Sequence, residues 1–244
     1  MFSEKNLPNV FTCLNLLCGC LALVSLFDLN APLLISVVLL AGLFDFFDGL
    51  TARALNAYSD FGKQLDSLAD VVTFGVVPGM VLHRLITNYP QSHEIVSIGF
   101  LFTILKYFPF IITVFAAFRL AKFNIDSRQT KSFLGLPVPA MGIFVTSFIP
   151  IIKYDQWDLA PILTNPFFII AITIVLSALM ISEIPLFALK FSNWRWKENK
   201  IQYIFIIISV MLLIRFIFAA IPLIVFLYII LSIINNSMLK RAGA

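Results

Sequence analysis

Asp45-Phe-Phe-Asp48-Gly49-Leu-Thr-Ala52-Arg53, eight further residues, then Gly62-x3-Asp66-x3-Asp70 set four carboxylates inside stretches that otherwise read as membrane helices. A charged side chain at the bilayer centre costs about 3 kcal/mol on insertion scales, so four would cost roughly 10 to 14 kcal/mol together. Chains that keep such groups nearly always use them, and the spacing says how. Residues three or four apart on a helix share a face. Asp45 and Asp48 therefore project together, with Ala52 one turn beyond Asp48 and Arg53 close to the same side. Gly62, Asp66 and Asp70 form a single stripe on the next helix. Joined by a short connection and antiparallel, the two helices build a carboxylate cage, and a glycine on each side (Gly49 and Gly62) lets a bulky ligand approach the backbone.

Charge constrains the occupant. Four carboxylates and one guanidinium leave about three negative charges in a poorly solvated pocket, which calls for bound cations or protons. Oxygen-only ligands favour hard cations, Mg²⁺, Mn²⁺ or Ca²⁺, and no Cys or His stands nearby to favour zinc. Two divalent ions would leave the cage slightly positive, suited to an anionic diphosphate. The competing readings are that the aspartates pair with basic residues or line an ion pathway. Paired Asp with Gly, Ala and Arg at fixed offsets argues against both.

The elements that must position these groups are membrane helices. Hydrophobic residues make up 60% of the 244, with 26 phenylalanines and only 12% charged residues, far from an ordinary soluble domain. We read an all-α polytopic membrane protein with about eight spans of roughly 20 residues. They cover 10–27, 33–54, 60–86, 97–122, 137–153, 162–187, 200–218 and 220–237. Pro222 and its neighbours are expected to separate the last two, and Lys106 and Pro109 interrupt the fourth. Basic residues gather at Lys5, at Arg53 and Lys63, at Arg119, Lys122, Arg128 and Lys131, at Lys190, Arg195, Lys197 and Lys200, and at Lys240 and Arg241. These ends alternate with sparsely charged turns near Asp28, Asn88 and Asp155, so both termini and the aspartate motif are expected on the cytoplasmic side. The net charge of +4 follows from this bias, and nucleic-acid binding is not expected.

No cleavable signal is evident, and Met1 to Pro8 could form a short interfacial helix. Cys13, Cys18 and Cys20 read as packing residues within the first span. Lys106 and Arg215 snorkel from apolar spans, and His83 and His93 read as plain polar residues toward the opposite face. Gly75 and Gly79 form a small-xxx-small pair able to pack helices or subunits closely. With no repeats or low-complexity tracts, 1–244 reads as a single membrane domain.

Asp45-x2-Asp48-Gly49-x2-Ala52-Arg53-x8-Gly62-x3-Asp66-x3-Asp70 resembles the complete motif of the CDP-alcohol phosphatidyltransferases, with every position filled. The resemblance implies that family's fold and its reaction: transfer of a phosphatidyl or similar group from a CDP-linked donor to an alcohol, with release of CMP. It implies that Asp45, Asp48, Asp66 and Asp70 hold two divalent cations (Mg²⁺ or Mn²⁺, with Ca²⁺ admissible), and that Gly49, Ala52, Arg53 and Gly62 line the CDP site. Physically, Arg53 can pair with a phosphate oxygen while the small residues leave room; alone it would read as a cytoplasmic anchor. Attack of an alcohol on phosphorus needs charge neutralisation, in-line positioning and proton removal. Asp70 is taken as the general base, being last of its stripe and matching the family's base. A homodimer is a further family-based expectation.

Three more stretches resemble the integral-membrane bacterial phosphatidylserine synthases: Leu7-Pro8-Asn9 through Thr12 with Asn15-Leu-Leu-Cys-Gly19; Leu65 through Pro78; and Phe118-Arg119-Leu-Ala-Lys122-Phe-Asn124 followed by Gly135-Leu-Pro137-Val-Pro139. Thr73 stands where many relatives carry serine. The resemblance covers roughly the first 145 residues, so 1–145 is expected to be the catalytic core around the motif at 45–70, with 146–244 adding further transmembrane helices. It implies L-serine as acceptor and CDP-diacylglycerol as donor, at the cytoplasmic face of the cell's inner membrane. Serine is a zwitterion, so its pocket needs a cation for the carboxylate. Arg119 is expected to fill that role, with Lys122 and Asn124 assisting; the plainer alternative is a positive-inside anchor cluster. Asn9, Thr12 and Asn15 either cap and pack the helix start or touch the nucleotide, and the family pattern favours the nucleotide for Asn9 and Thr12. Rival readings are an acceptor such as glycerol 3-phosphate or inositol, an ether-lipid donor, and, from another class, a divalent-cation transporter.

Overall fold

The computed structural model describes residues 6–88, 103–125, 133–187 and 199–242, with side chains to 236 in the last stretch. His93, Arg128, Lys131, Lys190, Arg195, Lys197, the side chains of Lys240 and Arg241, the start of the fourth expected span and residues 1–5 lie outside this description.

The protein is an all-α polytopic membrane protein. Helix α1 (Leu7–Phe27) starts with Pro8 in its first turn and ends at a three-residue turn in which Leu29 takes φ 57°. Asn30 then caps α2 (Ala31–Ala54), its side chain accepting from Leu33 N at 3.1 Å. So tight a turn makes α1 and α2 antiparallel neighbours, and theirs is the most extensive helix contact of the fold. Leu55 to Ser59, with Asn56 at φ 49°, reverses the chain again into α3 (Asp60–Asp70), where Ser59 Oγ accepts from Gly62 N at 3.0 Å. The third span continues through a π-helical turn (Val71–Val76) into α4 (Val77–Thr87). After a 3₁₀ turn at Phe108–Phe110, α5 runs Ile111–Ile125; Pro109 interrupts the span where expected.

The fifth expected span is two helices, α6 (Val138–Thr146) and α7 (Phe148–Lys153). Pro150 has no N–H to give Thr146 O, and the Thr146 hydroxyl turns back onto Gly142 O at 2.8 Å. Short α8 (Ala160–Leu163) leads to α9 (Pro166–Ile181), capped by Asn165. Helices α10 (Lys200–Phe216) and α11 (Ala220–Ala242) are separated not at Pro222 but at Ile217, whose φ of 48° and ψ of −109° break the helix before a 3₁₀ turn. Pro222 lies in the first turn of α11. Its ring would clash with the Phe218 carbonyl of a continuous helix, so the break must come upstream. A two-residue antiparallel pairing, Phe133–Leu134 with Pro185–Leu186, ties the loops before α6 and after α9.

Among the described residues, five apolar helical runs are long enough to cross a membrane: Leu7–Phe27, Ala31–Ala54, Asp60–Thr87, Thr103–Ile125 and Lys200–Asn236. Close backbone approach sets the core. Phe74 is fully buried, and a Cβ on Gly142 would come within 2.9 Å of its Cα, so the facing helices meet through the missing side chain. Gly75 and Gly79 pack on α5 of the same chain, with Thr113 donating to Gly75 O at 2.8 Å.

Candidate active site

The turn at 28–30 and the connection at 55–59 bring the N-terminal part of α1, the C-terminal part of α2 and the whole of α3 together. An open cleft of about 610 Å³ lies between them, with Pro8, Asn9 and Thr12 on one wall, Asp48, Gly49 and Ala52 on the second, and Gly62, Lys63 and Asp66 on the third. The connecting residues Ala57 to Asp60 form its rim.

Helical periodicity does what the spacing required. Carboxylate oxygens of Asp45, Asp48 and Asp66 all lie within 4.8 Å of one another. Asp70, the fourth, is one turn further along α3, buried (5% exposed) and outside that triad. Among the described residues none of the four aspartates has a Lys or Arg ion-pair partner; the Lys122–Glu183 pair, at 3.9 Å, is elsewhere. Asp66 Oδ1 is buried and accepts no hydrogen bond. Three converging carboxylates without a counter-charge, one with an unpartnered buried oxygen, repel each other at low dielectric. An all-oxygen donor set of this kind fits a hard divalent cation, so the residues present suit the ion that the motif implies.

Two of the carboxylates are held from α1. Thr12, 2% exposed, places its hydroxyl 2.8 Å from Asp48 Oδ2 and 3.2 Å from Pro8 O. Asn15, one turn on and fully buried, donates from Nδ2 to Asp70 Oδ1 at 2.9 Å. Asn15 therefore neither caps α1 nor lines the cleft. Its spacing from Thr12 (i, i+3) was the available signal, because both fall on the face of α1 that meets α2 and α3.

Gly49, Ala52 and Gly62 line the cleft. A Cβ on Gly49 would meet nothing within 4 Å, whereas one on Gly62 would lie 2.9 Å from Asn9 Oδ1. Arg53 is exposed and is not among the residues lining the cleft. Lys63 is, although the motif did not single it out; its ammonium donates to the Asn124 backbone carbonyl at the end of α5. Asn124 Nδ2 donates in turn to Ser67 Oγ at 2.8 Å. The expected acceptor residues thus divide. Asn124 is latched to α3, Lys122 leans toward Glu183, and Arg119 is buried on α5 with its guanidinium 5.6 Å from the Phe123 ring centroid.

Residues 5–234 match the family model described as CDP-alcohol phosphatidyltransferase. The chain is similar to the CDP-diacylglycerol–serine O-phosphatidyltransferase of Bacillus subtilis (strain 168), 34% identical over 178 residues that cover 73% of this chain and 88% of that protein. The protein of the same name from Helicobacter pylori (strain J99) is 30% identical over 201 residues, 82% of this chain and 79% of its own length. Archaetidylserine synthase of Methanothermobacter thermautotrophicus is 32% identical over 182 residues, 73% and 68% respectively.

Proposed function

The chain belongs to the CDP-alcohol phosphatidyltransferase family, and on that premise we propose that it transfers the phosphatidyl group of CDP-diacylglycerol to the hydroxyl of L-serine, giving phosphatidylserine and CMP. The observation that carries the reading is the meeting of Asp45, Asp48 and Asp66 oxygens within 4.8 Å beside the Asp48- and Asp66-lined cleft. The names of the bacterial relatives supply the acceptor and the donor.

In this mechanism Asp45, Asp48 and Asp66 would hold divalent cations, Mg²⁺ or Mn²⁺, with Asp70 the next carboxylate of the acidic stripe on α3. When bound, such ions neutralise the diphosphate and stabilise the departing CMP. Gly49, Ala52 and Gly62 keep the walls low enough for the CDP moiety, with Asn9 and Thr12 closing the α1 side. Lys63, already in the cleft, supplies positive charge beside the diphosphate; Arg53 would do so by swinging inward from its exposed position. The serine oxygen attacks phosphorus, the bond from phosphorus to the CMP oxygen breaks, and the hydroxyl proton passes to Asp70. Arg119 binds the serine carboxylate, with Lys122 and Asn124 near it. All these groups lie at or before Asn124, in keeping with a catalytic core in 1–145 and supporting helices in 146–244.

We place the site and both termini on the cytoplasmic side of the cell membrane. The basic clusters at Arg53 and Lys63 and at Arg119 and Lys122 support this, because the Lys63 contact to Asn124 puts the two clusters at one end of the bundle. The proposed homodimer rests on the family resemblance alone, since Gly75 and Gly79 are used within the chain. An ether-linked donor is the one second reading that a finding favours, through the archaeal relative. Enzymes that use glycerol 3-phosphate or inositol would share the motif, and the family match displaces a cation transporter. Purified protein with CDP-diacylglycerol and Mg²⁺ or Mn²⁺, offered serine, glycerol 3-phosphate and inositol separately, tests the reading. CMP release with serine alone supports it, and release with another acceptor alone overturns it.

A further inference from the structure

We propose that Asn15 is a positioning residue, holding one oxygen of Asp70 so that the other is presented to the acceptor hydroxyl. This rests on the assignment of Asp70 as the base.

Asn15 is fully buried in an apolar span, and its amide has one partner among the described residues: Nδ2 donates to Asp70 Oδ1 at 2.9 Å, while its own Oδ1 accepts nothing. A buried amide with an unsatisfied carbonyl is a poor packing residue; leucine, of nearly the same shape, would fill the space without desolvating a polar group. What the chain gains is a donor aimed at a single carboxylate oxygen. The backbone around it is fixed as well. Thr73 Oγ1 donates to the Asn15 carbonyl at 3.1 Å, and Thr73 lies in the π-helical turn that begins immediately after Asp70. One turn along α1, a Cβ on Gly19 would fall 3.1 Å from Thr73 Cα, so α1 meets that turn at backbone distance. Asn15 is thereby gripped through its side chain by Asp70 and through its main chain by a residue three positions later on the same helix. Wide helical turns of this type recur at functional sites, and here the turn locks the amide to the carboxylate. With Oδ1 engaged, Oδ2 is the oxygen left to receive the serine proton, and Asp70 cannot rotate between the two roles.

The test compares Asn15→Leu, Thr73→Val and Asp70→Asn in detergent or liposomes with CDP-diacylglycerol, serine and saturating Mn²⁺. We expect Asn15→Leu to lower kcat about 10- to 100-fold while KM for each substrate stays within about twofold, because substrate binding does not use the amide. Thr73→Val should lower kcat about threefold to tenfold in the same pattern. A purely structural role would instead lower the melting temperature and raise both KM values. If Asn15→Leu fails to fold, Thr73→Val and Asn15→Ser decide by the same split. Wild-type kcat in Asn15→Leu beside an inactive Asp70→Asn overturns the positioning role and leaves the base intact. Turnover retained in Asp70→Asn removes both.

Discussion

Thr12 on α1 and Asp48 on α2 meet through a hydroxyl-to-carboxylate hydrogen bond of 2.8 Å, with both side chains buried. The bond ties α1 to a carboxylate that also meets Asp45 and Asp66 within 4.8 Å, so Thr12 restrains a member of the triad. Partners that orient a metal-ligating carboxylate usually matter about 10- to 100-fold in metal affinity. Thr12→Val, which keeps the shape and deletes the donor, is therefore expected to shift the Mn²⁺ or Mg²⁺ concentration for half-maximal activity upward about 10-fold, with kcat largely recovered at saturating metal. A titration of CMP release against metal concentration checks this; an unchanged midpoint would separate Thr12 from the ion site.

The triad itself makes a stronger demand. Replacing Asp66 by Asn removes a charge while keeping the shape, and Asp66 is the member with a buried oxygen that accepts no hydrogen bond. Activity should fall more than about 100-fold, as expected when an electrostatic element of phosphoryl transfer is lost. In the unaltered protein a chelator should abolish CMP release, and added Mg²⁺ or Mn²⁺ should restore it. Activity that survives exhaustive chelation would end the metal reading of Asp45, Asp48 and Asp66.

The two cleft glycines predict opposite phenotypes. A methyl at Gly49 meets no protein atom within 4 Å, so Gly49→Ala should leave the melting temperature unchanged or slightly raised and act only by occupying the cleft. KM for CDP-diacylglycerol should rise about threefold to tenfold. A methyl at Gly62 lies 2.9 Å from Asn9 Oδ1 and 3.0 Å from Ser59 Oγ, the cap of α3. Gly62→Ala must push both aside, so it should lower the melting temperature as well as donor affinity, by about the 1 kcal/mol of a disturbed cap. Thermal unfolding in parallel with donor KM distinguishes the pair; identical profiles would contradict the geometry.

Much of this architecture was legible in the residues because one physical rule dominates: in lipid an apolar run must be a helix. Asn30, Ser59 and Asn165 each stand at a described helix start. The i, i+3 and i, i+4 spacing of aspartates placed them on facing stripes, where three of the four meet and Asp70, one turn further on, lies outside the triad. Three features were hidden. The π-helical turn at Val71–Val76 has no compositional marker, and within it Thr73 donates to the Asn15 carbonyl across helices. The break at Ile217 lies upstream of Pro222 because proline disrupts the preceding turn, and a non-glycine left-handed residue is not signalled by its type. Arg53 follows the right offset from Asp48, yet it lies close to the end of α2, where a long side chain is free to leave the stripe for solvent; Lys63 takes the place in the cleft instead.

Arg119 distinguishes an acceptor-binding group from a topological anchor. It is only 5% exposed, unlike Lys122 on the same helix, and its guanidinium lies 5.6 Å from the centroid of the Phe123 ring. An anchor needs charge at the membrane surface, and lysine serves as well as arginine. A carboxylate receptor needs the planar fork of a guanidinium, which lysine cannot reproduce. Arg119→Lys should therefore raise KM for serine about 10-fold or more, while KM for CDP-diacylglycerol and the apparent metal requirement stay near their original values. Phe123→Leu removes the ring but keeps the guanidinium, and should raise serine KM only about twofold to fivefold, the lower range of a cation–π contact, because the ring acts through Arg119. Serine dependence measured at saturating donor and metal reads both variants directly. If Arg119→Lys leaves serine KM unchanged in a folded protein, the carboxylate is held elsewhere, and Lys63, already in the cleft beside Asp66, becomes the cation to test next.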